Sequence, residues 1–236
     1  AGAAGRADLV LVAVPDDRIP AFVAEIAAAG AFRRGGWVAH LSGASGLDAL
    51  DGAAGSGAHR LAIHPLQTFA DVEGAIERLP GCAAAVTADE EAGFELGERL
   101  ARDLGARPFR LADAMRPRYH AAAVIASNDL IVLSAVAERL FRDSGVPDPL
   151  AAMLPLQRAS LDNVERLGTV EALTGPAVRG DARTIERNLA ALAEIAPEVV
   201  PAYVALGRIA LDLATSGGRL APDARAPVEA VLDRWS

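Results

Sequence analysis

Two hydrophobic periods divide the chain. In the first half, short continuous apolar runs alternate with amphipathic ones. Asp8-Leu-Val-Leu-Val-Ala-Val14 is apolar and β-branched without alternation, as in a central parallel strand covered on both faces. Pro15-Asp16-Asp17 stops it, and Asp16 or Asp17 is placed to cap a helix from Ile19 to Ala29 that Gly30 ends. Trp37 to Leu41 predicts a second strand, followed by the loop Ser42-Gly-Ala-Ser-Gly46 and a short helix from Leu47. Arg60 to Ile63 predicts a third strand that ends at His64-Pro65. Cys82 to Thr87 predicts a fourth, Asp89 caps a helix to about Leu104, and Arg107 to Leu111 is a short last strand. Strands alternating with helices predict a parallel sheet in a doubly wound α/β fold. From Ala112 the pattern is helical only. Asp113 is placed to cap a long helix to about Asp143, and further helices follow over Pro149–Leu167, Asp181–Ile195, Pro197–Ala214 and Pro227–Trp235. Pro155 and Pro201 are expected to kink or restart theirs. The boundary is therefore placed near residue 112, with an α/β domain over 1–111 and an all-helical domain over 112–236.

Composition narrows the functional classes. The chain has 236 residues, 52% of them hydrophobic, and a net charge of −8. This is a globular balance with no basic stripe, which argues against a nucleic-acid partner. All 23 basic residues are arginine, so no lysine is present to act as an acid, a Schiff base or a phosphate clamp. The single cysteine, Cys82, excludes an intramolecular disulfide framework, and no His/Cys/Asp/Glu spacing recommends a metal site. The first residues lack a secretory pattern, and the cytoplasm is the expected compartment. The most membrane-like stretch, Ala121 to Phe141, contains Asn128, Asp129, Glu138 and Arg139, and is read as a buried helix, not a span.

Nucleotide-binding sheets usually open with a strand, a Gly-x-Gly-x-x-Gly turn and a helix. Neither Ala1-Gly-Ala-Ala-Gly5 nor Gly52-Ala-Ala-Gly-Ser-Gly57 stands in that context, and both read as turns. The first strand already looks interior. This leaves open a fold without a phosphate loop, or a chain that starts inside its domain.

The segments Ala7-Asp-Leu-Val-Leu-Val-Ala-Val-Pro-Asp16, Val38-Ala-His-Leu-Ser-Gly-Ala-Ser-Gly46, Leu61-Ala-Ile-His-Pro-Leu-Gln-Thr-Phe69, Tyr119-His-Ala-Ala-Ala-Val-Ile-Ala-Ser-Asn128 and Leu173-Thr-Gly-Pro-Ala-Val-Arg-Gly-Asp181 carry a resemblance. In this order they resemble bacterial Rossmann-like proteins with a C-terminal helical domain of unknown function. These are relatives of ketopantoate reductase, pyrroline-carboxylate reductase and 6-phosphogluconate dehydrogenase. The resemblance implies an NAD(P)-binding domain followed by a helical domain that forms a homodimer. It also implies hydride transfer to a small 2-oxo acid such as ketopantoate. The sequence departs from that pattern by lacking the glycine fingerprint and the lysine that serves ketopantoate reductases as general acid.

Such a reaction needs a seat for the nicotinamide of NADP or NAD, a proton donor, and a cation for the substrate carboxylate. Ligands of open α/β sheets sit beyond the strand carboxyl ends, here Val14-Pro15-Asp16, Ser42-Gly43 and His64-Pro65. Pro15 and Gly43 also fit plain tight turns. His40, inside a strand, reads as a core histidine, and His59 as a loop residue. His64 and His120 are the expected pair facing substrate, with Tyr119 behind them. Ser127 shares the helical face of His120 and Asn128 borders it, a polar stripe that lines either a cleft or an internal network. Arg179, in a Gly/Pro-fixed loop with Thr174, is the first choice for the carboxylate and Arg118 the second. Two functional classes stay open: a reductase, and a non-catalytic ligand-binding or regulatory protein on a degenerate Rossmann fold.

Overall fold

The computed structural model describes residues 2–236, Pro222 by its backbone alone. It divides into two compact units, the first ending at Ile131 and the second covering Val132–Ser236. The first unit contains strands β1 (Leu9–Val12), β2 (Trp37–His40), β3 (His59–Leu66), β4 (Ala83–Ala88) and β5 (Arg107–Arg110). Helices α1 (Ile19–Ala28), α2 (Asp51–Gly55), α3 (Val72–Arg78) and α4 (Glu91–Asp103) lie between them, and α5 (Arg116–Val124) follows. The strands stand side by side in chain order. β1, β2 and β3 are parallel, with Val12 opposite His40 and His40 opposite Ala62, so their carboxyl ends finish on one rim.

Strand alternation sends neighbouring residues to opposite faces. Val12 and Val38 pack under α1 and α2 against Ile19, Val23, Leu50 and Ala53. Ala39, Leu61, Ile63 and Val86 meet Phe94 and Leu100 of α4 on the other face. A Cβ on Gly97 would lie 2.5 Å from Val86 Cγ1, so a glycine is what lets α4 sit this close to the sheet. Helices on both faces of a mostly parallel sheet make the α/β, Rossmann-like fold that the alternating pattern predicts.

One strand direction differs from the expected all-parallel sheet. β4 runs antiparallel to β3, Leu66 facing Ala83, and β5 is parallel to β4. The link between β3 and β4 carries a helix of only 7 residues against a strand of 8. Such a helix rises about 10 Å, whereas the strand is about 26 Å long. It cannot return the chain to the far rim, so β4 starts where β3 stops. α3 forms in a stretch to which the sequence pattern assigns no element, because Asp71 accepts the Gly74 N–H at 2.6 Å and caps it.

Three aspartates expected as helix caps are used elsewhere. A 3-10 turn, Asp16–Arg18, precedes α1 and makes Arg18 its N-cap. Glu90, not Asp89, is the N-cap of α4, and Asp89 accepts from Arg60 Nε at 2.9 Å. Asp113 opens another 3-10 turn and accepts the Leu47 N–H at 3.0 Å.

The long helix expected from Asp113 is α5, a π-helical turn over Ile125–Asp129, and then α6 (Leu130–Asp143). It is not the buried helix that its apolar content predicts. α6 holds no buried residue, and Ile131 and Val132 are 64% and 59% exposed. By length and composition Asp113–Asp143 and Pro197–Ser216 could each cross a membrane. The strand pattern ends close to the line drawn at 112, but the compact first unit runs on to Ile131, because side chains of α5 tie it to the sheet.

In the second unit, α7 (Pro149–Ala172) breaks at Gly168, whose φ of 77° no helix allows, and not at Pro155. α8 (Ala182–Ile195), α9 (Val200–Ser216) and α10 (Pro222–Arg234) pack Ile185, Leu189, Val204, Leu211, Val228 and Leu232 into a core.

Candidate functional site

The rim formed by the ends of β1, β2 and β3 is organised around the loop after β2. His40 is fully buried. The Ser42 N–H donates to its Nδ1 at 3.2 Å, so the ring proton sits on Nε2, which donates to the Gly46 carbonyl at 3.1 Å. Burial also lowers the His40 pKa and keeps the ring neutral. Ser42 Oγ donates to Asp16 at 2.5 Å and accepts the Ala44 and Ser45 N–H groups at 3.2 and 2.9 Å. Arg116 at the start of α5 is 0% exposed. It donates to the Ser45 carbonyl at 2.5 Å, to Thr87 Oγ1 at 3.0 Å and to the Ser42 carbonyl. Sequence reading missed Arg116, which looks like one more surface charge beside Pro117.

The loop carries Gly43 between two imidazoles. A Cβ there would lie 2.7 Å from His64 Nε2 and 3.0 Å from His120 Nδ1. The structure thus brings together His64 from β3 and His120 from α5. His64 Nδ1 bonds the Tyr119 hydroxyl at 2.8 Å, their rings edge-on at 5.5 Å. Burial, then the Arg116 cation, then His120 depress the His64 pKa to about 4, so the ring is neutral at pH 7 and offers an N–H, not an imidazolium. Burial pushes the Tyr119 hydroxyl up, which keeps it a phenol. His120 Nδ1 is buried and has no hydrogen-bond partner among the described residues, a sign of a missing ligand or water.

Two cavities share His64, Gln67, Phe69 and His120. One, of about 600 Å³, has Leu11, Leu41, Leu100 and Leu104 as apolar walls, with Asp16, Ser42, Gly43 and Pro65 on its rim. The other, of about 720 Å³, is lined by Thr68, Tyr119, Ser127 and Asn128 among alanines. Ser127 and Asn128 ride on the π-helical turn, a feature frequent at functional sites. An apolar slot, a glycine that leaves no room for a Cβ and an orphaned ring nitrogen suit a flat ring bearing an amide.

Other expected site residues fall outside these cavities. Val14 packs against the core under α1, and Pro15 receives the Arg18 N–H at 2.8 Å in the turn that opens α1. Arg118 is exposed and lines neither cavity. Arg179 and Thr174 are exposed in the second unit, flanking a turn whose Gly175 and Gly180 have φ of 105° and 68°. No cluster of His, Cys, Asp or Glu able to hold a metal ion occurs among the described residues.

Comparison with known proteins bears on the family and the fold. A Rossmann-like family model matches residues 1–65, and a model described as "Domain of unknown function (DUF2520)" matches residues 82–210. No curated protein matches the chain. Protein TM1727 of Thermotoga maritima is 24% identical with a TM-score of 0.73, over 88% of this chain and 78% of its own. BF3122 of Bacteroides fragilis, a candidate NADP oxidoreductase, is 24% identical with a TM-score of 0.72, over 87% and 76%. Pyrroline-5-carboxylate reductase of Coxiella burnetii is 12% identical with a TM-score of 0.50, over 91% and 77%. At these identities the likeness shows a shared fold.

Proposed function

The chain belongs to the DUF2520 family, and on that premise we propose that it is an NAD(P)-dependent reductase of a small oxo compound, with 2-oxo acids such as ketopantoate as the first candidates. The observation that carries this reading is the meeting of His64 and His120 across Gly43 at the rim of the parallel strands. The cofactor, when bound, supplies hydride to the carbonyl carbon. Its ring end suits the Leu11–Leu41 slot, with Ser42, Gly43 and Pro65 at its edge and His120 Nδ1 free for its carboxamide. The sequence holds no Gly-x-Gly-x-x-Gly turn for the pyrophosphate.

The side chains divide the remaining work. Tyr119 holds the His64 ring through Nδ1, so the Nε2 edge faces Gly43. As a neutral donor, His64 can hydrogen-bond and so stabilise a developing alkoxide, which takes its proton from solvent. Ser127, Asn128 and Thr68 offer hydrogen bonds to the rest of the substrate. Arg118, the second choice for the substrate carboxylate after Arg179, is exposed and lines neither cavity.

Exposed Ile125, Ile131, Val132 and Leu133 form an apolar helix surface whose neighbours Glu138 and Arg142 pair with each other. We assign its cover to a second copy of this chain, because the interspersed charges would have to be desolvated in a bilayer. The one cysteine is a buried free thiol, compatible with the reducing cytoplasm.

The test is fluorescence titration of the full chain with NADPH and NADH, then cofactor oxidation with ketopantoate and other oxo acids. Binding followed by substrate-dependent oxidation is expected. Absence of both refutes the reading. Cofactor binding without turnover of any oxo compound moves the balance to a non-catalytic binding protein.

A further inference from the structure

We infer that Arg116 is a positioning residue: by holding the Ser42 carbonyl it turns the Gly43 N–H toward the ligand as a hydrogen-bond donor. The inference rests on the cofactor site proposed above and adds a residue to it. Arg116 is fully buried, yet its partners are two carbonyls and a hydroxyl, not a carboxylate. A buried cation is costly, and a neutral side chain of similar length would pack there at lower cost. What the guanidinium alone supplies is a planar fork reaching three acceptors from fixed directions.

Two of those acceptors belong to the loop after β2. A trans peptide is planar, so the carbonyl of one residue and the N–H of the next point in opposite directions. With the Ser42 carbonyl drawn onto Arg116, the Gly43 N–H faces away from it. That N–H meets no acceptor among the described residues, whereas the N–H groups of Ser42, Ala44, Ser45 and Leu47 are all engaged. Gly43 lines the 600 Å³ cavity, and its α-carbon abuts His64 and His120. A carbonyl or carboxamide oxygen placed there would meet the Gly43 N–H beside the unpartnered His120 Nδ1. His40, Asp16 and Asp113 brace the same loop from other sides, so Arg116 acts on a backbone that has little freedom to follow any other partner.

The experiment separates the fork from the charge. Arg116→Lys keeps a cation but cannot hold three acceptors. It should weaken NADPH binding about tenfold and displace the Gly43 amide cross-peak in ¹⁵N-labelled protein, while the His64 titration midpoint stays put. Arg116→Met should do the same and also raise the His64 midpoint, because a neighbouring cation is gone. A purely structural arginine would lower the melting temperature without this split. If Arg116→Lys folds, binds NADPH like the wild type and leaves the Gly43 cross-peak unmoved, the inference is overturned. Should Arg116→Met fail to fold, Arg116→Lys decides alone. If the wild type does not bind NADPH, the cofactor reading fails, and the Gly43 cross-peak still decides whether Arg116 holds the loop.

Discussion

Gly43→Ala adds one methyl at the point where the site is tightest. The backbone of Gly43 is not in the left-handed region, so alanine brings no φ strain and the effect is steric. The new Cβ would lie 2.7 Å from His64 Nε2, 2.8 Å from His64 Cε1 and 3.0 Å from His120 Nδ1. Ordinary contact starts near 3.4 Å, so the His64 ring must retreat by about 0.7 Å and the His120 ring by about 0.4 Å. His64 is held at Nδ1 by Tyr119 at 2.8 Å, and the Gly43 backbone by the Arg116 and Asp16 bonds to Ser42. Neither side yields freely. Overpacking of this kind costs about 2 kcal/mol, or roughly 5 °C in melting temperature for a chain of this size. Displacing a catalytic ring by most of an ångström lowers kcat/KM by up to about 100-fold. Differential scanning calorimetry and NADPH oxidation assays read the two effects. The double variant Gly43→Ala/His64→Ala should recover the stability, since the methyl then enters the vacated space. A Gly43→Ala protein that melts and turns over like the wild type would refute the packing on which the site is built.

Further expectations concern other parts of the molecule. Tyr119→Phe keeps the ring beside Phe109 but removes the hydroxyl from His64; kcat/KM should fall about tenfold with KM little changed, and an unaltered rate would remove Tyr119 from the mechanism. Folding lowers the His64 pKa from 6.5 to about 4, so the unfolded chain takes up that proton first. Stability present above pH 6.5 should therefore decline as pH falls toward 4, with buried His40 contributing in the same sense. Urea midpoints at about pH 7 and about pH 4.5 should differ less in His64→Asn than in the wild type. Asp181→Ala removes the cap of α8, where the carboxylate accepts the Thr184 N–H at 3.0 Å and its hydroxyl at 2.7 Å; thermal melts should show a loss of about 1 kcal/mol. Ile131→Asp places a charge on the apolar face of α6, and sedimentation velocity should show the dimer dissociating; a wild-type protein that is already monomeric would rule out the proposed second copy.

Much of the site was legible in the sequence because strand ends are punctuated locally. Ser42-Gly43 announces itself by the residues that stop an apolar run, whereas His64 and Pro65, expected just past a strand end, lie inside β3 opposite Ala85 and Ala84; the two segments meet because β2 and β3 are parallel. His120, Ser127 and Asn128 share a helix face, and all line one cavity. Arg116 was not legible. It stands two residues from Arg118 with the same chemistry, and only packing decides which of the two is buried. Val14 and Pro15 are the converse case, correctly placed after a strand but turned into the core and into a helix entry.

The sequence by itself determined most of the strands and helices, and that the fold changes character after β5. Hydrophobic period, glycines and prolines act over a few residues, and those signals are complete in the chain. The tertiary structure decided the reversal of β4, the diversion of Asp16, Asp89 and Asp113 from helix caps to distant partners, and the exposure of α6. It also decided that a guanidinium reaches a carbonyl 71 residues away. Each of these depends on which groups meet once the chain has closed, and the free energy of burying or pairing a group is set by those neighbours and not by its position in the sequence.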